Sequence, residues 1–422
     1  MNLEFVLVAM SLSVLAFGLI SNKSDSHSVT APMVFVTFGL AGYLSGFANV
    51  DLSHGFIHVL LEVTLILVLY TDASRIDLRL LKKQHGLPIR MLLIGMPLTI
   101  LLGGVGAQWI FGFESIWFAF LLAAILAPTD AALGQVVVSS KDVPVRIRQS
   151  LNVESGLNDG IALPVILIII AITKISIGEA GHEEAGAYHW LLFTGKQVIL
   201  GPIAGIIIGL YGGKVIFWAA RGQWMSHTFQ DLSLLSLSFL AFGTAEIFGG
   251  NGFIAAFCAG LTIGNTAKNL CECLYEFAEA EGQLLTLTVF LLLGAVILPK
   301  FHSVSLLQVG FYAVLSLTVF RMLPVSLSLL GTKLKPQSHL FLGWFGPRGL
   351  ASILFGLLML EELENPATEL IFSIILATVF LSIFLHGITA SPFSKVYSRI
   401  IGENTQDMEE HIDVGEMPLK NS

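Results

Sequence analysis

The chain has 422 residues, 55% of them hydrophobic and only 12% charged, with a formal net charge of −8. A soluble domain carries about 25% charged residues, so a mean hydropathy of +0.80 spread from end to end leaves no sizeable soluble domain. The basic residues stand in short loops rather than in a patch for nucleic acid, and no GxxxxGK[ST] loop offers ATP a phosphate cradle. Three cysteines (Cys258, Cys271, Cys273) make no disulfide framework, and Cys271-Glu272-Cys273 reads as incidental, with metal binding the alternative.

The fold class is an all-α polytopic membrane protein. A membrane helix needs about 20 mostly apolar residues, and about thirteen such runs can be read. They cover 3–20, 31–48, 55–72, 90–112, 115–138, 148–173, 190–218, 229–248, 251–266, 275–298, 304–330, 338–360 and 367–390. The first lacks the basic flank and small-residue cleavage site of a signal peptide, although cleavage stays open. Basic residues favour the cytoplasmic side. Arg75, Arg79, Lys82, Lys83 and Arg90 follow the third run; Lys141, Arg146 and Arg148 follow the fifth; Lys214 and Arg221 the seventh; Lys333 and Lys335 the eleventh. Lys395 and Arg399 follow the last. The opposite loops carry Asp51, Glu114, Glu179, Glu183, Glu184, Glu361, Glu362 and Glu364, with Lys174 and Lys300 as exceptions. This alternation predicts an external N-terminus and a cytoplasmic C-terminus.

Two runs echo each other. The fifth contains Ala127-Pro128-Thr129-Asp130 and the twelfth contains Gly346-Pro347-Arg348-Gly349. Proline removes a backbone donor and clashes with the preceding turn, so each run is expected to break or kink. They are the fifth members of two six-run halves, predicting a membrane domain over 1–400. Its parts are a first repeat at 1–175, a linking helix at 176–222 and an inverted second repeat at 223–400, before a short acidic tail at 401–422. Broken helices at matching positions of inverted halves mark the midplane site of a secondary transporter. Asp130 can offset the positive ends of half-helices, and Arg348 the negative ends.

The densest chemistry lies in Asn152-Val153-Glu154-Ser155-Gly156-Leu157-Asn158-Asp159-Gly160, which opens into an apolar run. Charges at membrane depth cost roughly 2.5–3.5 kcal/mol each, so they are kept only if paired, hydrated or working on an ion. On a helix, Ser155 shares a face with Asp159, and Glu154 shares one with Asn158. Asp159 is the expected transport carboxylate, able to hold a proton or a small cation but not both. Glu154 is expected to pair with a buried arginine, Arg321 first and Arg348 as the alternative. Ser155 and Thr129 offer oxygens suited to a hard cation. Asp72 either opens the basic loop or holds water at the inner mouth. Glu62 reads as a structural hydrogen-bonding group, Glu246 as an outer-end acid, and His189 and His227 as interfacial. The tail, with Glu403, Asp407, Glu409, Glu410, Asp413 and Glu416, reads as solvated and disordered, with a small sensing role the alternative.

At these residues the chain resembles the monovalent cation:proton antiporter family of the NhaP/NHE type. The resemblance rests on Ala127-Pro128-Thr129-Asp130, Glu154 to Asp159, Asn251-Gly252-Phe253-Ile254-Ala255-Ala256-Phe257 and Gly346-Pro347-Arg348-Gly349, in that order, within about residues 5 to 395. It implies an NhaA-like antiporter fold with crossed, unwound helices five and twelve, and a homodimer whose core moves like an elevator. It implies exchange of Na+ or Li+ for protons in the plasma (inner) membrane without a cofactor. Asp159 then matches the ion- and proton-binding aspartate, Asn158 its structural neighbour, Thr129 and Ser155 the Na+ ligands, Asp72 an acidic position after the third helix, and Arg321 the partner of Glu154. Asn158, where some relatives carry a second aspartate, implies electroneutral one-for-one exchange. K+/H+ antiport is the alternative, and an uncoupled cation channel a more distant one. No nucleophile–base pair or HExxH motif points to an enzyme.

Overall fold

The computed structural model describes residues 3–19, 21, 29–47, 55–79, 81, 86–178, 184–266, 282–297, 305–402 and 408–411. Asp51, Lys82, Lys83, Glu179, Glu183, Cys271, Glu272, Cys273, Lys300 and the tail acids Glu403, Asp407, Asp413 and Glu416 lie outside them, as do the side chains of Glu184 and His189. Apolar runs in a lipid-like setting satisfy their backbone only within the segment, so they form helices. Among the described residues no strand occurs. In chain order the helices are α1 (Leu3–Gly18), α2 (Ala31–Leu44), α3 (Gly55–Ser74), α4 (Gly86–Phe111), α5 (Ile116–Ile125), α6 (Ala131–Val138), α7 (Val145–Ser176) and α8 (Glu184–Arg221). There follow α9 (His227–Ile247), α10 (Gly252–Thr266), α11 (Gly282–Ile297), α12 (Leu306–Ser328), α13 (Pro336–Trp344), α14 (Leu350–Glu362) and α15 (Pro366–Gly402).

Helices α4, α8, α7, α12 and α15 each contain a stretch long and apolar enough to cross a membrane. Their outer faces leave Trp109, Ile199, Tyr211, Trp218 and Leu307 largely exposed, an arrangement suited to lipid rather than water. Local chemistry sets several ends. Proline stands in the first turn of α2 and α13, where its missing N–H costs nothing. Gly112, at φ +62°, closes α4 in the left-handed conformation that favours glycine.

Three elements differ from the sequence expectation. The run at 304–330 is interrupted at Thr318, where φ −111° and ψ −91° leave the helical region. The last run continues past Ser391-Pro392 to Gly402, because a proline inside a buried helix is tolerated once neighbours supply partners. Part of the acidic tail is docked: Glu410 is buried, and its Oε1 accepts from the Lys335 backbone N–H at 2.7 Å and from Ser338 Oγ at 2.8 Å. Next to it Glu409 Oε2 pairs with Arg146 Nη1 at 2.6 Å. Two residues of the tail, Glu409 and Glu410, thus find donors at the starts of α7 and α13.

The chain divides into two compact units. The first comprises Met1–His58, His85–Ser155 and Thr286–Leu419; the second comprises Val59–Gln84, Gly156–Leu285 and Lys420–Ser422. In the first, Leu87, Met91, Ile147, Val325, Leu342, Phe345 and Tyr397 belong to one apolar core. In the second, Leu67, Tyr70, Ile216, Leu234, Ala255 and Ile263 form another. Within that second unit α10 crosses α3 almost backbone to backbone. A Cβ on Gly260 would collide with the Tyr70 carbonyl, and one on Gly264 with the Ser74 carbonyl. Gly260→Val is therefore expected to cost about 1–3 kcal/mol through overpacking, seen as a lowered Tm in detergent. An unchanged Tm would mean that the two helices are farther apart than described.

Candidate ion-binding site at two broken helices

In the first unit the chain unwinds at Leu126–Asp130, between α5 and α6, and again at 345–349, between α13 and α14. Each break strands N–H and C=O groups that a continuous helix would pair. The two stretches solve this together. Asp130 N–H donates to the Pro347 carbonyl at 2.8 Å, so the breaks meet backbone to backbone. The Asp130 carboxylate accepts from Leu350 N–H at 2.8 Å through Oδ2 and from Leu133 N–H at 3.3 Å through Oδ1. One carboxylate therefore sits at the N-terminal, positive ends of both α14 and α6.

The opposite ends are met by Arg348, which is fully buried. Its Nη1 donates to the Ala127 carbonyl and, at 3.1 Å, to the Pro128 carbonyl, the negative end of α5. Ser352 Oγ adds a bond to the Ile125 carbonyl at 2.9 Å. The close approach has a steric condition: a Cβ on Gly349 would overlap the Asp130 carboxylate.

Thr129 and Glu154, the latter on α7, connect this crossing to the next helix. Thr129 Oγ1 and Ser155 Oγ are hydrogen-bonded at 2.8 Å, and both are buried. Glu154 and Arg321 form a bidentate pair: Nη2 reaches Oε2 and Nη1 reaches Oε1, each at 2.7 Å, with side-chain exposures of 2% and 1%. Of the two arginines that the sequence offers Glu154, Arg321 holds it, while Arg348 is engaged by the carbonyls of the first break. The guanidinium of Arg321 also packs against Gly346, where a Cβ would press on its Nε.

Asn158 and Asp159 lie in the second unit, on the same unbroken α7, and both are buried. Helical spacing puts Asp159 one turn beyond Ser155. Asp72 is half-buried near the end of α3. That end packs on α7 at Gly156, where a Cβ would stand 3.4 Å from Ile76 Cδ1 and 3.8 Å from the Asp72 carbonyl. At Gly160 the ring of Phe257 lies so close that no Cβ would fit. Asn251 Oδ1 accepts from Ile254 N–H at 3.0 Å, and Glu246 Oε1 from Gly252 N–H at 2.7 Å, so Glu246 serves the start of α10. Glu62 is half-buried in α3, and His227 is exposed at the start of α9.

Sequence reasoning passed over Ser382 and His386 on α15, Ser352 on α14 and Tyr312 on α12. Ser382 accepts from Arg348 N–H at 2.7 Å, and Tyr312 OH donates to the Gly103 carbonyl at 3.2 Å. A Ser and a His four apart in an apolar run were the available signal.

The ion pair yields a prediction. Arg321→Ala strands a buried carboxylate and is expected to cost about 3–5 kcal/mol of stability, whereas a paired Glu154→Leu/Arg321→Met replacement recovers most of it. Thermal unfolding of both variants measures this; equal losses would contradict a structural pair.

The family model described as the transmembrane part of the sodium/hydrogen exchanger matches residues 6–396. The K(+)/H(+) antiporter NhaP of Alkalimonas amylolytica is 26% identical over 402 residues, covering 92% of this chain and 67% of that protein. The K(+)/H(+) antiporter NhaP2 of Shewanella oneidensis is 26% identical over 308 residues, covering 72% of this chain and 51% of its own length. The chain thus spans about half to two thirds of the length of these relatives. Among solved structures, the sodium proton antiporter MjNhaP1 from Methanocaldococcus jannaschii superposes with a TM-score of 0.74 at 18% identity, over 94% of this chain and 99% of that one. At that identity the likeness carries the fold alone. With almost its whole length matched by the family model, the chain belongs to the sodium/hydrogen exchanger family.

Proposed function

We propose that this chain is a secondary-active antiporter that exchanges cytoplasmic Na+, or Li+, for external protons, one for one and without net charge movement. Asp159 is the exchanging carboxylate. Ser155 and Thr129 supply oxygens to the cation, Asp72 holds water at the inner mouth, and Asn158 supports Asp159. Glu154, Arg321, Asp130 and Arg348 hold the scaffold. The observation that carries this reading is the buried Asp159, one helical turn from a serine whose hydroxyl is bonded to Thr129 of the unwound stretch. Hydroxyl and carboxylate oxygens are what a hard monovalent cation takes.

Coupling follows from electrostatics. A proton and a cation compete for one carboxylate. A bare carboxylate crossing a low-dielectric barrier is too costly, so the site moves only when loaded. An inward proton gradient then drives the cation out. As in the family resemblance, the protein works as a homodimer in the plasma membrane, its core shifting like an elevator with the C-terminus in the cytoplasm.

A second reading concerns the cation. Curated relatives carry the name K(+)/H(+) antiporter, which favours K+ as the cargo of the same mechanism. The test is a proteoliposome assay with an imposed pH gradient, adding Na+, Li+ or K+ in turn with the membrane potential clamped or free. Proton movement evoked by Na+ and Li+, insensitive to voltage and lost in Asp159→Asn, is the expected result. A response to K+ alone keeps the mechanism and changes the cargo. Cation flux without proton movement, or full exchange in Asp159→Asn, overturns the proposal. Ser155→Ala, which removes one oxygen ligand, is expected to raise the cation KM roughly threefold to tenfold.

A further inference from the structure

We infer that His386 is a positioning residue for transport: it fixes the α13–α14 break from the α15 side and thereby aims Arg348. The inference rests on the antiport reading, because its effect is read in turnover. The break at 345–349 leaves the last carbonyls of α13 and the first N–H groups of α14 without helical partners. Asp130 and Arg348 serve one side of it. His386, buried on α15, serves the other.

Its Nε2 lies 2.9 Å from the Trp344 carbonyl, at the C-terminal end of α13. With only that carbonyl in reach, Nε2 carries the proton and donates, whereas Nδ1 has a hydroxyl beside it that can donate in turn. Nδ1 then accepts from the Ser382 hydroxyl, 3.1 Å away, and also lies 3.0 Å from the Ser382 carbonyl. The oxygen of the same hydroxyl accepts from Arg348 N–H at 2.7 Å, just ahead of α14. One relay, Trp344 carbonyl to imidazole to hydroxyl to Arg348 amide, therefore spans the break. The indole of Trp344 is tied to the same helix, donating from Nε1 to Thr389 Oγ1 at 3.0 Å.

The relay reaches the first break through Arg348. With its backbone amide pinned by Ser382, the arginine side chain is directed to the carbonyls of Ala127 and Pro128, immediately before Thr129. His386 offers the cation no ligand, since both its nitrogens are engaged within the relay. Its loss is expected to slow the transport step and leave cation affinity alone. The groups carrying fixed charge nearby are Arg348 in the break and Arg321 on α12.

The experiment compares His386→Leu, His386→Gln and Ser382→Ala with wild type in proteoliposomes. Hydrogen exchange of the 345–350 segment is followed by mass spectrometry in the same purified proteins. For His386→Leu we expect turnover per folded protein to fall roughly tenfold with cation KM unchanged within about twofold, and exchange of 345–350 to quicken roughly tenfold. Glutamine keeps one donor and one acceptor and is expected to restore most of the turnover. Ser382→Ala, which breaks only the link to Arg348, moves in the same direction and serves if the leucine variant does not fold. Wild-type turnover in Ser382→Ala, a glutamine variant as slow as the leucine one, or unchanged exchange at 345–350 would each overturn the inference. If wild type moves no proton with any cation, the antiport reading fails on its own, while the exchange measurement still judges the relay.

Discussion

Backbone pairing at the two unwound stretches is the constraint on which the rest of the molecule depends. In hydrocarbon an unpaired N–H or C=O costs several kcal/mol, so a helix can be opened there only if every freed group finds a partner. This chain uses charge for the purpose. Asp130 accepts at the positive ends of α6 and α14, and Arg348 donates at the negative end of α5. Charge-assisted bonds of this kind are roughly twice as strong as neutral ones. Because the carboxylate and the guanidinium answer opposite dipole ends, neither stands as an isolated charge.

The opening is what makes Thr129 useful. Inside a helix a threonine hydroxyl bonds back to the carbonyl one turn earlier, as Thr71, Thr173 and Thr378 do. Thr129, outside a helix, turns its hydroxyl to Ser155 instead. On the same α7 the Glu154–Arg321 pair anchors the helix against α12 and the second break, with Gly346 leaving room for the guanidinium. A buried pair of this kind adds little net stability, since desolvation offsets most of the attraction; it fixes register, because either partner alone would be costly.

Much of this could be read from the chain. Pro128 beside Asp130 and Pro347 beside Arg348 announce two openings, because proline forbids the local hydrogen bond and a charge at membrane depth needs a reason. The helix class follows from apolar runs that have no other way to satisfy their backbone. What stayed hidden was long-range. Arg321 is the preferred partner of Glu154 on paper with Arg348 left as the alternative, and only packing separates them. Ser382 and His386, four apart in an apolar run, take on a role only once the break they serve is in place. The tail reads as solvated from its charge, but Glu409 and Glu410 find donors that lie far away in sequence. The last apolar run reads to residue 390, yet α15 runs on to Gly402.

The sequence separations carry a consequence for biogenesis. Glu154 and Arg321 are 167 positions apart, Asp130 and Leu350 are 220 apart, and Arg146 and Glu409 are 263 apart. Synthesis runs from the N-terminus, at about 5–20 residues per second. Asp130, Arg146 and Glu154 are therefore made roughly ten to fifty seconds before the groups they bind. During that interval the early segments must be held by the insertion machinery or sheltered by water. The start of α7 receives Glu409, the partner of Arg146, only after every membrane helix has been made, so Glu409→Ala would act on the last step of assembly.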